Sequence, residues 1–383
     1  MKILIINTFY YPNMIGGTEN SVKILAENLA KIGNEVAIYS VDGEKNKKIE
    51  IINNVKIYRY KKSKNNKLVK KIKGINNNSI KKQIKEVIED FKPDIIHTNN
   101  LFEISNIVWK IAKKEYDIPI IHTLRDYWML YPIVSKEKLS KILFQPFMKE
   151  RTKYVDIVTA PSKYTLNKFI QAGYFKSSVK ECVYNAVDID IEETKTIIEK
   201  RKKIDNEKIR FMYVGMLSEN KGIRNLLEAF SRMEDDNISL HIYGQGELEN
   251  LVINSEEQDI RIKYHGQLNT EELKEEWKKN DVLIVPSIWE EPFGRVVIEA
   301  NQYGLPVIGT NRAGILETIN NINTGITYQY DSIEELMKAI IYFENRENIK
   351  KYYDSIENNI EKYSIINQIK TFTQLYENMK NEK

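Results

Sequence analysis

Two carboxylates, Glu291 and Glu299, bracket the run EPFGRVVIE with seven residues between them. A carboxylate only accepts hydrogen bonds, so a spaced pair suits the neighbouring hydroxyls of a ribose or a sugar. Between the two acids stand Pro292, Phe293, Gly294 and the cation Arg295, and upstream Lys221 precedes Gly222 at a polar turn. An ammonium there can hold a diphosphate by charge. The start of a helix adds to this: its first N–H groups lack partners within the helix, and its dipole carries partial positive charge. Four loop residues span at most ~13 Å and four helical ones ~6 Å, so the two acids can lie on either side of a bound diphosphate. Each residue alone also has a plain reading, as a solvated acid or a surface lysine at a helix start.

The elements that position these groups follow from apolar spacing. Asp281 to Pro286 reads as a short buried strand, Ile288 to Gly294 as a loop, and Val296, Val297, Ala300 and Tyr303 as the apolar face of a helix that Gly304 stops. The same beat opens the chain. KILII (2–6) is a strand, a loop carries Gly16 and Gly17, and a helix begins near Ser21 with Val22, Leu25, Ala26 and Leu29 inward. Gly16-Gly17 lacks the G-x-G-x-x-G spacing of a dinucleotide fold, which speaks against a dehydrogenase. EVAIYSV (35–41) and NVKIYRY (54–60) are strands with a polar connection, and 79–91 is a helix. IPIIHTLRDYWMLYP (118–132) is a strand running into a polar, aromatic loop with Arg125 and Asp126. Strand, turn and helix recur at 155–174, at IRFMYVGMLSENKGIRNLLEAF, and on to the C-terminal helix with Ile365, Ile369, Phe372, Tyr376 and Met379 on one face.

A chain of 383 residues has length for two α/β domains of about 150 to 200 residues each. The single cysteine, Cys182, permits no intrachain disulfide and favours a reducing compartment. MKILIINTF enters a strand directly, without the character of a signal peptide, and no apolar run nears the ~20 residues of a membrane span. The expectation is a cytoplasmic protein, at most peripheral at the inner face of the membrane. The net charge of +4 conceals an asymmetry: residues 1–190 hold 33 basic and 20 acidic residues, the remainder 25 and 34. Residues 56–85 hold twelve basic residues and no acid. That stretch reads as a solvated lysine-rich loop or as a patch for an anionic membrane surface, worth about 1 kcal/mol per basic residue near the charge. It lacks the interleaved aromatics of a single-strand binder, so nucleic acid is not expected. The four histidines are not at metal-ligand spacing, and no metal is expected.

EPFGRVVIEA followed by GLPVIGTNRAGILETI resembles the signature of glycosyltransferase family 4, retaining enzymes of the GT-B fold, and ECVYNAVDID resembles that family's junction between domains. The resemblance implies an α/β protein of two doubly wound, Rossmann-like domains facing each other across a cleft. The divisions expected are 1–190, 191–360, and a C-terminal helix 361–383 returning to the first domain. By resemblance, Glu299 would hold the ribose hydroxyls and Glu291 those of the donor sugar. Amides near Phe293, Gly294 and Arg295, with Lys221 and the loop at Gly16 and Gly17, would meet the donor diphosphate. The donor, with a UDP-sugar first, is a substrate, and no cofactor is implied. The acceptor implied is a glycan or a lipid-linked sugar. Retention in the family proceeds on one face of the sugar, with the leaving phosphate helping to deprotonate the acceptor. Two positions depart from the family: Met216 stands where an arginine belongs and Arg125 where a histidine belongs, beside Asp126. Arg295 is expected to supply the charge missing at Met216, and Arg125 to stabilise the departing phosphate without acting as a base. Those departures also keep a silent GT-B scaffold open as a second reading, with a nucleotide-sugar epimerase as a third.

Overall fold

The structure is a computed structural model and describes residues 1–13, 16–44, 47–61, 78–131, 145–205 and 208–381. The chain falls into two compact units, Met1–Ala186 with Ile365–Lys383, and Val187–Ser364. The sequence placed these divisions at 190 and 360.

The first unit holds an eight-stranded sheet of β1 (Lys2–Ile6), β2 (Glu35–Gly43), β3 (Lys48–Ile52), β4 (Val55–Lys61), β5 (Ile95–Thr98), β6 (Ile120–Thr123), β7 (Ile157–Ala160) and β8 (Val179–Cys182). Their order is β3-β4-β2-β1-β5-β6-β7-β8, parallel except for the β3–β4 hairpin. Alternation along β1 splits its side chains between two cores. Ile3 and Ile5 pack with Val22, Leu25 and Leu29 of the first helix, while Leu4 and Ile6 pack with Ile84, Val87 and Val108 on the other face. The helix Gly17–Lys31 starts earlier than Ser21 because Glu19 reaches back to accept from the Gly16 N–H at 2.9 Å, capping it without a Ser or Thr. Strand β3 was read as polar connection. It forms because Asn53 and Asn54 adopt positive φ of 50° and 65°, the geometry of a two-residue hairpin turn.

The second unit carries β9 (Ile209–Val214), β10 (Ile238–Tyr243), β11 (Ile262–Tyr264), β12 (Val282–Val285), β13 (Val307–Thr310) and β14 (Gly325–Tyr328) in the order β11-β10-β9-β12-β13-β14, all parallel. The order runs outward in both directions from the β9–β12 pair. In such a sheet the crevice for a ligand opens at the carboxyl ends of that pair. The helix Ile191–Lys202 belongs to this unit, and its Arg201 is buried, donating to the Tyr303 carbonyl at 2.7 Å and the Trp277 carbonyl at 3.0 Å.

The C-terminal helix Ile365–Asn381 packs on the first unit, burying Ile369, Phe372, Tyr376 and Met379 against the β1 core. The Tyr376 hydroxyl and His97 Nδ1 lie 2.7 Å apart, and His97 Nε2 lies 2.7 Å from Thr123 Oγ1, tying this helix to β5 and β6. Among the described residues no helix is long and apolar enough to cross a membrane.

Candidate active site

Strands β9 and β12 pair with Met212 opposite Leu283, so the turns after them open at the same edge of the sheet. A cavity of about 310 Å³ lies there, and Met216, Lys221, Glu291, Gly294, Arg295 and Glu299 all line it. Lys221 sits on a single helical turn that ends at Gly222, whose φ is +72°. A Cβ at Gly222 would lie 1.9 Å from the Pro286 carbonyl oxygen, so only glycine lets the lysine turn pack against the β12 loop. Gly294, at φ +88°, turns the chain into the helix Arg295–Gln302. That helix buries Val297, Ile298 and Ala300, so its start faces the cavity with Arg295 and Glu299 one turn apart.

The four charged side chains form two ion pairs. Lys221 Nζ donates to Glu291 Oε1, and Arg295 Nε donates to Glu299 Oε1 at 2.7 Å. Their side chains are 31%, 19%, 21% and 33% exposed, respectively for Lys221, Glu291, Arg295 and Glu299, so each is within reach of a ligand yet partly shielded from water. Ser287 Oγ lies 3.2 Å from Glu291 Oε1, giving that carboxylate a second neighbour. Pairing keeps the four charges compensated. Two cations and two carboxylates on one small cavity can receive a diphosphate and hydroxyl groups together. The Phe293 ring is buried beside Tyr363 and its carbonyl accepts from Thr318 Oγ1 at 2.7 Å, while neither Phe293 nor Pro292 is among the residues that line the cavity.

The first unit has its own cavity of about 310 Å³, at the carboxyl ends of β1, β5 and β6, lined by Gly16, Gly17, Glu19, Asn100, Phe102, Asp126 and Trp128 among others. The strand order again runs outward from the β1–β5 pair. Arg125 lies behind this wall. It is buried, with Nε donating to Asn99 Oδ1 at 3.0 Å and a terminal nitrogen donating to Asn185 Oδ1. Asp126 accepts from the Trp128 N–H at 3.0 Å and from Asn100 Nδ2. Burial pushes its carboxyl up from the ordinary 3.8 to about 6; the Trp128 and Asn100 bonds oppose this, and the Glu19 charge adds to it.

The raised value sets the sign of a stability effect. Between about pH 4 and pH 6 the folded state binds more protons at Asp126 than the unfolded state, so stability falls as pH rises through that window. The full contribution is on the order of 2–3 kcal/mol. Urea denaturation of the wild type and Asp126→Asn across pH 4 to 7 checks this. The stability difference between them should shift in favour of the variant as pH rises, and parallel profiles would contradict it.

Residues 15–191 match the family described as Glycosyltransferase Family 4, and residues 194–363 match Glycosyl transferases group 1. The chain belongs to the family 4 glycosyltransferases. This glycosyltransferase is 31% identical over 377 residues to an uncharacterized 42.6 kDa protein in the cps region of Klebsiella pneumoniae, covering 92% of this chain and 96% of that one. It is 24% identical to an uncharacterized glycosyltransferase of Methanocaldococcus jannaschii, covering 85% of this chain and 84% of the other. Its fold is that of sucrose-phosphate synthase from Thermosynechococcus elongatus, with a TM-score of 0.79 at 18% identity over all of both chains. Anabaena HepE, solved with UDP and glucose, matches at TM-score 0.72 and 18% identity over 99% of this chain and all of that one. The glycosyltransferase therefore has the GT-B fold, with two Rossmann-like parallel sheets.

Sequence reasoning passed over Tyr213 and Ser287 in one cavity and Glu19, Asn100, Phe102 and Trp128 in the other. For Glu19 a signal was present, since an acid three residues into a helix that starts at Gly-Gly is a capping position. Phe102 and Trp128 follow strand ends, where a doubly wound sheet carries its ligand loops.

Proposed function

We propose that this enzyme moves a sugar from a nucleotide-sugar donor to an acceptor hydroxyl with retention of configuration, in the synthesis of a cell-surface polysaccharide or glycolipid. The observation that carries the reading is the convergence of Lys221, Arg295, Glu291 and Glu299 on one cavity at the β9–β12 switch point. In this reading Glu299 takes the ribose hydroxyls and Glu291 those of the donor sugar, so each carboxylate exchanges an ion pair for hydroxyl donors. Lys221 and Arg295, released from those pairs, meet the diphosphate. The bond from the anomeric carbon to the diphosphate oxygen breaks, the bond from that carbon to the acceptor oxygen forms on the same face, and the acceptor proton passes to the leaving diphosphate. A UDP-sugar is the first donor to try, supported by the fold shared with HepE, which was solved with UDP-glucose. A polysaccharide role draws support from the relative in the cps region.

Thermal stability in the presence of UDP, GDP and ADP, for the wild type and Glu299→Ala, tests the donor reading. One nucleotide at 100 times its dissociation constant should add about 2.7 kcal/mol to the wild type, and the variant should lose that gain. No gain with any nucleotide would leave a silent scaffold as the reading.

An anionic membrane surface is the second partner in this proposal. Most of the 56–85 stretch, from Lys62 to Asn77, lies outside the described residues. Lys81, Lys82 and Lys85 from the helix Asn78–Phe91 share a groove of about 760 Å³ with Lys110 and Lys114 from the helix Ile107–Glu115, where they outnumber the acids Glu86, Glu89 and Glu115 and Lys85 pairs with Glu115. Vesicles containing phosphatidylglycerol should sediment the protein at low salt and release it at high salt. Equal sedimentation with phosphatidylcholine vesicles would sink the idea.

A further inference from the structure

The loop that carries Glu291 is held from two sides by groups outside the cavity. On one side the Asn220 carbonyl, next to Lys221, accepts from the Ile288 N–H at 3.1 Å and from the Trp289 N–H at 3.0 Å. On the other, four of the loop's carbonyls accept from the segment that leaves β13 and enters the helix Ala313–Ile322. Thr310 Oγ1 donates to the Ser287 carbonyl at 2.9 Å, Arg312 to that of Ile288 at 2.5 Å, the Gly314 N–H to that of Glu291 at 2.9 Å and Thr318 Oγ1 to that of Phe293 at 2.7 Å. Three of these donors are a backbone amide and the hydroxyls of buried threonines, so the strand and the helix that bear them set their place. Arg312 is different. Its side chain is long and 31% exposed, and it is not among the described residues that line the cavity.

An arginine in that setting ordinarily makes a weak surface pair. Arg312 is instead fixed by three neighbours. Its guanidinium carbon stands 4.3 Å from the centre of the Tyr330 ring, one terminal nitrogen donates to the Ile288 carbonyl, and the other lies 3.9 Å from Glu290 Oε1. A planar guanidinium can rest on an aromatic face while its N–H groups bond in their own plane. The ring under it is tied to the sheet, since the Asn311 N–H donates to the Tyr328 carbonyl at 2.8 Å and Asn311 Nδ2 to Gln329 Oε1 at 2.7 Å. Two adjacent carboxylates thus face two different cations, Glu290 towards Arg312 and Glu291 towards Lys221.

We propose that Arg312 is a positioning residue for Glu291: by pinning the Ile288 carbonyl and drawing Glu290 aside, it decides which of the two neighbouring carboxylates enters the cavity and where it stands. This rests on the reading above in which Glu291 takes the donor sugar's hydroxyls. Arg312 itself meets no substrate, so its effect is geometric. A displacement of about 1 Å at a group that orients substrate can cost about 10²-fold in rate. Glu299 stands on the helix Arg295–Gln302, beyond this loop, so the nucleotide's own affinity is spared.

The test compares the full-length wild type with Arg312→Met, Arg312→Lys and Glu291→Gln. Hydrogen–deuterium exchange of the protein alone reads the loop. In Arg312→Met the amides of Ile288, Trp289 and Gly314 should exchange at least about fivefold faster while those of β9 keep their rates. Binding reads the consequence, with UDP, GDP and ADP set against UDP-glucose, UDP-galactose, GDP-mannose and ADP-glucose. Where the sugar nucleotide binds more tightly than its bare nucleotide, Arg312→Met should lose most of that gain, as Glu291→Gln does, with bare-nucleotide affinity within about twofold of the wild type. Turnover should fall about 10- to 100-fold in Arg312→Met. Arg312→Lys, which can still reach the carbonyl with one donor, should recover part of it. An arginine with a merely structural role would lower Tm without separating sugar from nucleotide. Unchanged exchange in Arg312→Met overturns the proposal, whatever the donor proves to be. So does retention of the sugar gain in Arg312→Met beside its loss in Glu291→Gln. Retention of the gain in both variants, with fast exchange in Arg312→Met, sinks the donor-sugar role of Glu291 instead and supports the hold of Arg312 on the loop.

Discussion

Lys221→Ala is expected to cut donor turnover by about 10²- to 10³-fold, the usual loss when one preorganised group facing developing charge is removed. The reason lies in how the lysine is held. Lys221 Nζ is held by Glu291 Oε1 on a turn fixed by Gly222 and Pro286, so its ammonium is placed before the donor arrives. If Glu291 is then drawn to the donor sugar, the lysine charge becomes available as the diphosphate departs. Most of the loss should therefore fall on kcat, with a smaller effect on donor affinity. Arg295→Ala should fall in the same range, because Met216 occupies the position where the family carries an arginine and Arg295 lines the same cavity. The readout is nucleotide release from UDP-sugars, with thermal stability as the control for folding. Retention of wild-type turnover within a few-fold by Lys221→Ala would remove it from the mechanism. Wild-type turnover in Arg295→Ala, beside its loss in Lys221→Ala, would show that Arg295 does not stand in for the missing arginine.

The parts of this molecule that were legible in the sequence share a physical origin. Parallel strands covered on both faces are near-continuous apolar runs, and β1, β9 and β12 stood out as such. The helices that cover them showed their buried residues at helical spacing, as with Val22, Leu25, Ala26 and Leu29, all fully buried. Strand β3 was hidden because it lies at the sheet edge, where Lys48, Ile49 and Ile51 are exposed and no core imposes a pattern. Likewise β8, an edge strand of the sequence VKEC, has little buried surface to mark it. The four charged residues of the second unit's cavity were visible because strand ends and glycines bracket them. What one sequence does not display is partnership across long separations. Lys221 and Glu291 are 70 residues apart, and the Asn99 and Asn185 groups that hold Arg125 lie 26 and 60 residues from it. A charge in a loop looks the same whether it waits for a ligand or is already engaged. Arg125 is bonded to Asn99 and Asn185, as Lys221 is to Glu291 and Arg295 to Glu299.

Asp281 presents the reverse case, an acid that opens a strand in the sequence and proves to be the centre of a buried ionic network. Its side chain is 9% exposed; Oδ1 accepts from an Arg346 terminal nitrogen at 2.9 Å and Oδ2 from the Arg210 N–H at 2.9 Å. A terminal nitrogen of Arg201 lies 3.9 Å from the same carboxylate, and Arg346 also donates to the Lys208 carbonyl at 3.0 Å. One acid thus compensates two buried cations where β9 and β12 begin, at the opposite end of those strands from the cavity. Asp281→Ala leaves Arg346 and Arg201 without it and opens the Arg210 N–H, so the expected cost is about 3–5 kcal/mol. For a unit of this size that corresponds to a fall in Tm of roughly 6–20 °C. Asp281→Asn keeps an acceptor for one partner and should cost less. Arg346→Met combined with Asp281→Ala should cost less than the sum of the two single changes, because the second substitution removes a cation that the first has stranded. Additive losses in that cycle would mean that water reaches the guanidinium groups and that the network is not a closed one. A loss below about 1 kcal/mol in Asp281→Ala alone would place it among exposed pairs. If the larger figure holds, the β9–β12 pair is secured at one end by this network, and the loops at its other end are free to carry Met216, Lys221 and Glu291 without also holding the sheet together.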